Sequence, residues 1–120
     1  MTNEEIIIQA EKAAPSWTSR AERERMCDLA REVSANGLIV EIGGLYGGMT
    51  AVLGLANPKA RVVVVDEFSW SPIKDMPASR KRLLGNVGNA GVTNVRVVEG
   101  DSRKVGKTWN EAIELLWIDG

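Results

Sequence analysis

The sequence predicts an α/β fold built on a parallel sheet, and three observations carry that expectation. Four short apolar, β-branched stretches recur: "LIVEI" (Leu38–Ile42), "RVVVVD" (Arg61–Asp66), "VRVVEGDS" (Val95–Ser102, a strand and a polar turn) and "IELLWIDG" (Ile113–Gly120). The first two are near-continuous apolar runs rather than alternating ones, as expected of strands buried on both faces. Segments of helical pattern separate them, and strand–helix–strand alternation favours right-handed crossovers and a parallel sheet. Finally, an acidic residue stands at or just beyond the carboxyl edge of every strand: Glu41, Asp66, Asp101 and Asp119. Ligands of such sheets gather outside that edge, where the strand order reverses.

The elements follow in order. Thr2 with Glu5 forms a capping box opening a helix that stops before Pro15, and "PSWTS" connects it to the next. Ser19 with Glu22 forms a second capping box, and Met26, Leu29, Ala30 and Val33 make one apolar stripe. Asn36-Gly37 reads as that helix's C-cap pair. The first strand runs into a glycine cluster, then "MTAVLGLA" (Met49–Ala56), a helix stopped by Asn57-Pro58. After the second strand, "EFSWSPIKDMP" reads as an irregular loop and Ala78–Ala90 as a helix despite Gly85 and Gly88. Trp109–Ala112 is expected to continue a short helix before the fourth strand. Residues 1–36 are therefore read as helices packing on a core made by residues 37–120, the whole forming one domain.

Composition narrows the function. The 120 residues carry 15 Lys+Arg against 16 Asp+Glu, a balance without the basic footprint of a nucleic-acid binder. There is one cysteine, Cys27, and no histidine, which excludes an intrachain disulfide, Ser-His or Cys-His catalysis within the chain, and histidine-ligated metal. Cys27 reads as a buried helical residue. No stretch has the length or apolarity of a membrane span, and the acidic N-terminus is unlike a signal peptide. A cytoplasmic setting is expected, with neither nucleic acid nor membrane as partner.

The glycine cluster carries the chemistry. "VEIGGLYGGMT" (Val40–Thr50) places Glu41 two residues before Gly43, with Gly44, Gly47 and Gly48 following. Glycines between a strand and a helix let backbone approach a ligand closely. The spacing departs from the dinucleotide pattern G-x-G-x-x-G, and a carboxylate beside a phosphate cradle would repel pyrophosphate. A carboxylate suits a cationic group such as an ammonium or sulfonium.

Glu41-x-Gly43-x-x-x-Gly47 resembles the first motif of class I S-adenosylmethionine-dependent methyltransferases. "RAERERMCDLAREVSANGLIVEIGGLYGGMT", "VVVVDEF", "NVGNAGVTNVRVVEGDS" and "IELLWIDG" are similar to successive blocks of one branch of that family. The branch groups small-molecule O-methyltransferases with cephalosporin-hydroxylase-like proteins, and the resemblance runs from about residue 16 to the end. It implies a Rossmann-like, doubly wound sheet in the order 3-2-1-4. It implies S-adenosylmethionine as cofactor and a small-molecule hydroxyl as methyl acceptor. Residue by residue, it implies that Glu41 faces the methionyl ammonium, while Gly43, Gly44 and Gly47 lie against the methionyl part. Asp66 would take the ribose hydroxyls, with Glu67 and Phe68 flanking the adenine. Asp101 and Ser102 would meet the adenine edge. Asp119 falls where metal-dependent relatives place a magnesium ligand, and it is the candidate catalytic base.

The sequence departs from the pattern in two places. Met49 stands where relatives often carry Ser, and the family's seven-stranded sheet is represented only by its first four strands, so the C-terminal half of the sheet is expected to be absent. Alternatives stay open at several positions. Asp66 equally suits an N-cap or solvated turn, and Asp101-Ser102 equally suits capping of a following helix. For Asp119, solvation is the competing reading. Trp70, Trp109 and Trp117 resemble a substrate cage but are read as core or strand-face residues. At the level of the whole chain, the alternatives are a non-catalytic nucleotide-binding or assembly domain and, less well matched, an NAD-type domain. Strand four, at an exposed edge, is expected to support self-association through Ile113–Ile118.

Overall fold

A computed structural model describes residues 1–119. Its elements are α1 (Asn3–Ala13), α2 (Arg20–Arg31), β1 (Leu38–Ile42), α3 (Gly48–Ala56), β2 (Arg61–Asp66), α4 (Arg80–Asn89), β3 (Val95–Glu99), α5 (Ser102–Lys107) and β4 (Leu115–Ile118). The four strands are all parallel, in the order β3-β2-β1-β4. The chain is thus an α/β fold on a parallel sheet, as the strand pattern predicts, in the Rossmann-like order that the resemblance implies.

Both capping boxes form. Thr2 Oγ1 accepts from the Glu5 N–H at 3.1 Å while Glu5 Oε1 accepts from the Thr2 N–H. Ser19 and Glu22 repeat the exchange one helix later. These bonds satisfy N–H groups that the first turn of a helix leaves without partners.

The helices cover the two sheet faces unequally. Ile39, Val62 and Val64 point to one face and share a buried cluster with Ile6, Ile7, Met26, Cys27, Val52, Leu53 and Leu83. α3 is the hub of that layer, since only Leu55 among its residues escapes full burial. Burial pushes the Cys27 thiol up to about 11, which leaves it protonated and unreactive. The opposite face, with Leu38, Val40, Val63 and Val65, is covered by Val105 of α5 and by Trp109.

Two boundaries differ from expectation. α2 ends at Arg31, before the Asn36-Gly37 pair. Its Ala30 carbonyl, already met by the Val33 N–H, takes a second donor from elsewhere: Asn57 Nδ2 donates to Ala30 O at 2.9 Å and to Val33 O, just past the helix, at 2.8 Å. A side chain from the far end of α3 therefore does the capping that glycine was expected to do. Residues Trp109–Ala112 form no helix: α5 stops at Lys107. The Trp109 ring packs on the second sheet face and its Nε1 donates to Glu111 O at 2.7 Å, which holds the segment in a turn.

Candidate functional site

The parallel register brings four strand ends to one edge. Backbone hydrogen bonds run past the strands themselves: Gly43 N–H donates to Val65 O, Gly100 N–H to Asp66 O and Asp119 N–H to Ile42 O, each at 2.9 Å. The loops beyond β1, β2, β3 and β4 are therefore fixed side by side, and they surround a cavity of about 510 Å³. That volume lies within the range of small-molecule sites.

Asp66, Glu67, Gly43, Ser102 and Asp119 line the cavity, together with Leu45, Trp17 and Trp70. A neighbouring recess of about 20 Å³, room for a single water, is walled by Glu41, Gly44 and Asp119. Gly47, Phe68 and Asp101 line neither space. Of the residues singled out in the sequence, seven thus meet at one place and three stand outside it.

Asp66 organises the cavity wall. Its Oδ2 accepts from the Leu45 N–H at 2.9 Å and its Oδ1 from the Phe68 N–H at 2.8 Å. Both donors sit in the left-handed region, Leu45 at φ 53° and Phe68 at φ 56°. Left-handed non-glycine residues cost on the order of 1 kcal/mol or more. One carboxylate thus holds the glycine loop and the turn after β2 in conformations neither prefers. Each oxygen keeps a further acceptor site, because a carboxylate offers about four in all.

The glycines divide into two kinds. Gly43 has φ 89° and presents its backbone to the cavity. Gly44 serves packing, since a Cβ there would lie 2.4 Å from Val64 Cγ1 and 2.7 Å from Leu83 Cδ1.

Glu41 is only 1% exposed, and its Oε1 accepts from Thr50 Oγ1. No other described residue donates to it. Burial raises its carboxyl to about 8; the Thr50 bond opposes the shift, and the nearby charges of Asp119 and Asp66 add to it. Glu41 is therefore favoured as a neutral acid at pH 7. Burial and the charge of Glu22 also raise the Asp119 carboxyl. Asp101 behaves oppositely. Hydrogen bonds from Arg103 hold it down to about 2, and it caps α5 through the Arg103 N–H at 2.9 Å.

Among the described residues, three carboxylates line the main cavity and no lysine or arginine does. Among the described residues, no three His, Cys, Asp or Glu side chains come together as a metal site. Trp109 and Trp117 pack against the core as expected. Trp70 does not: it is 63% exposed and faces the cavity, because the loop after β2 carries it beyond the sheet edge. Trp17 was not singled out by sequence, since nothing in "PSWTS" shows that the connector crosses the end of β1.

No protein-family model matches the sequence, and no curated protein is significantly similar to it. Solved structures do match. Cofactor-bound Rv0187 from MTB superposes with a TM-score of 0.68 at 26% identity, over 96% of this chain and 51% of that one. The O-methyltransferase TomG from Streptomyces achromogenes, solved in complex with SAM, gives 0.70 at 22% identity over 93% and 53%. An O-methyltransferase from Bacillus cereus, in complex with SAH, gives 0.62 at 23% over 98% and 53%. The chain shares the Rossmann-like fold of these structures. The chain spans about half the length of these three structures, so it corresponds to part of their fold.

Proposed function

We propose that the chain is the cofactor-holding part of an S-adenosylmethionine-dependent methyltransferase that acts on a small-molecule hydroxyl. The observation that carries this reading is the cavity's charge: three carboxylates and no cation at the carboxyl edge of a parallel sheet. A pyrophosphate would be repelled there, whereas a cofactor bearing a sulfonium and an ammonium is attracted. The similarity in fold to O-methyltransferases, two of them solved with SAM or SAH, supports the same reading.

In this reading Asp66 receives the ribose hydroxyls on the acceptor sites that Leu45 and Phe68 leave free. Gly43 gives the methionyl part its close approach. Glu67 and Ser102 flank the adenine; Asp101 acts indirectly, because its carboxylate is occupied by Arg103 and α5 and so sets the position of Ser102. Glu41 meets the ammonium through the small recess, which has room for one bridging water. When bound, S-adenosylmethionine supplies a methyl group on a positively charged sulfur that leaves as a neutral thioether. Asp119 is the carboxylate placed to take the acceptor's proton. Its raised pKa brings it closer to the operating pH, which suits a general base.

Isothermal titration with S-adenosylhomocysteine tests this reading. The wild-type chain should bind saturably, and Asp66→Ala should weaken binding at least ~10-fold, about 1.4 kcal/mol. Urea unfolding of both proteins checks that the variant is folded. Absence of saturable binding, or equal binding by a folded Asp66→Ala, would remove the reading.

A further inference from the structure

We propose that Trp17 is a specificity-determining residue that makes the site prefer a positively charged sulfonium ligand over its neutral thioether counterpart. The inference rests on the cofactor reading above and adds a residue that neither the motifs nor the strand ends contain.

The observations begin with exposure. Trp17 is 52% exposed although it has a large apolar surface that burial would favour. It lines both the main cavity and the recess, the only aromatic side chain among the described residues to do so, and Asp119 lines both with it. Its position is fixed rather than incidental. The Tyr46 ring lies 5.9 Å from the Trp17 ring, inclined by 50°, and Tyr46 is itself fully buried with its hydroxyl donating to Met76 O at 2.7 Å. On either side of Trp17, the hydroxyls of Ser16 and Thr18 bond to each other at 2.6 Å. The connector also rests against the start of α3, where a Cβ on Gly48 would lie 2.6 Å from Ser16 Cβ and 2.8 Å from Pro15 O. A half-exposed indole thus stands against the Tyr46 ring on an anchored connector, beside Asp119 and next to the recess that Glu41 lines.

An indole beside carboxyl groups, with no lysine or arginine lining either space, is the environment that attracts an onium cation. The face of a Trp ring attracts a positive charge by its quadrupole, and the carboxylates add long-range attraction. A neutral thioether of the same shape gains neither. The consequence is a site that holds the charged methyl donor and releases the spent product more readily.

The experiment compares S-adenosylmethionine with S-adenosylhomocysteine in titrations of wild type, Trp17→Leu and Trp17→Phe. The expected result is a loss of about 5-fold in S-adenosylmethionine affinity for Trp17→Leu, a change under about 2-fold for S-adenosylhomocysteine, and retention of most of the preference by Trp17→Phe. Equal weakening of both ligands by Trp17→Leu would assign Trp17 to shape alone and overturn the inference, as would no change in either. Those outcomes leave the cofactor reading standing. Failure of the wild type to bind either ligand overturns both.

Discussion

At Glu41, burial and neighbouring negative charge act in the same direction, and both favour the protonated acid. The sign for stability follows. Folded Glu41 keeps its proton up to about 8, whereas the unfolded chain loses it near the ordinary value of 4.5. Between those limits the native state binds more protons, so stability falls as pH rises. Glu41→Gln removes this contribution while its amide oxygen still accepts from Thr50. Urea unfolding midpoints should match wild type near pH 4.5, and the variant should gain relative stability steadily towards pH 8. Parallel profiles for the two proteins would contradict the account. The acidic residues Glu41, Asp66 and Asp119 were legible in the sequence because strand ends in a parallel sheet share one edge. Their protonation was not, because it depends on depth: Glu41 and Asp66 lie on neighbouring strands, yet only the first is sealed beneath α3.

At the scale of elements, strands and helix starts follow from local pattern, but one helix end does not. Thr2 and Ser19 cap with glutamates three residues away, a relation visible in the sequence itself. The end of α2 depends on Asn57, more than twenty residues further along, whose amide serves the Ala30 and Val33 carbonyls. Asn57→Ala leaves the Val33 carbonyl without its side-chain donor and the Ala30 carbonyl with only the Val33 N–H, and should cost about 1–3 kcal/mol in chemical unfolding. A cost under about 0.5 kcal/mol would show that the end of α2 is satisfied without Asn57. The failed expectation of helix at Trp109–Ala112 has the same origin. Its short pattern of apolar residues was compatible with a turn, and burial of one indole against β1 and β2 decided the matter.

Across the whole molecule, the sheet is covered by α1 to α4 on one face and chiefly by α5 on the other. β4 lies at an edge, pairing only with β1 among the described residues. Leu116 is 46% exposed and Ile118 62% exposed on the thinly covered face. An apolar edge strand of this kind recruits another strand, and a second copy of the chain can supply one. Sedimentation should show concentration-dependent association that Leu116→Lys combined with Ile118→Lys abolishes. A wild-type monomer at every concentration would contradict this. The parallel sheet was readable from the βαβ pattern, and its order was implied by the family resemblance. The position of Trp17 was not, because it depends on where a connector with no distinctive pattern crosses the sheet.

Binding of the cofactor in a single cavity at the carboxyl edge is tested by amide chemical shifts during titration of the 15N-labelled chain with S-adenosylhomocysteine. The account predicts saturable shifts concentrated at Gly43, Leu45, Asp66 to Trp70, and Gly100 to Ser102. Saturable shifts confined to the outer faces of α1 and α2, or a well-dispersed spectrum that the ligand leaves unchanged, would contradict it.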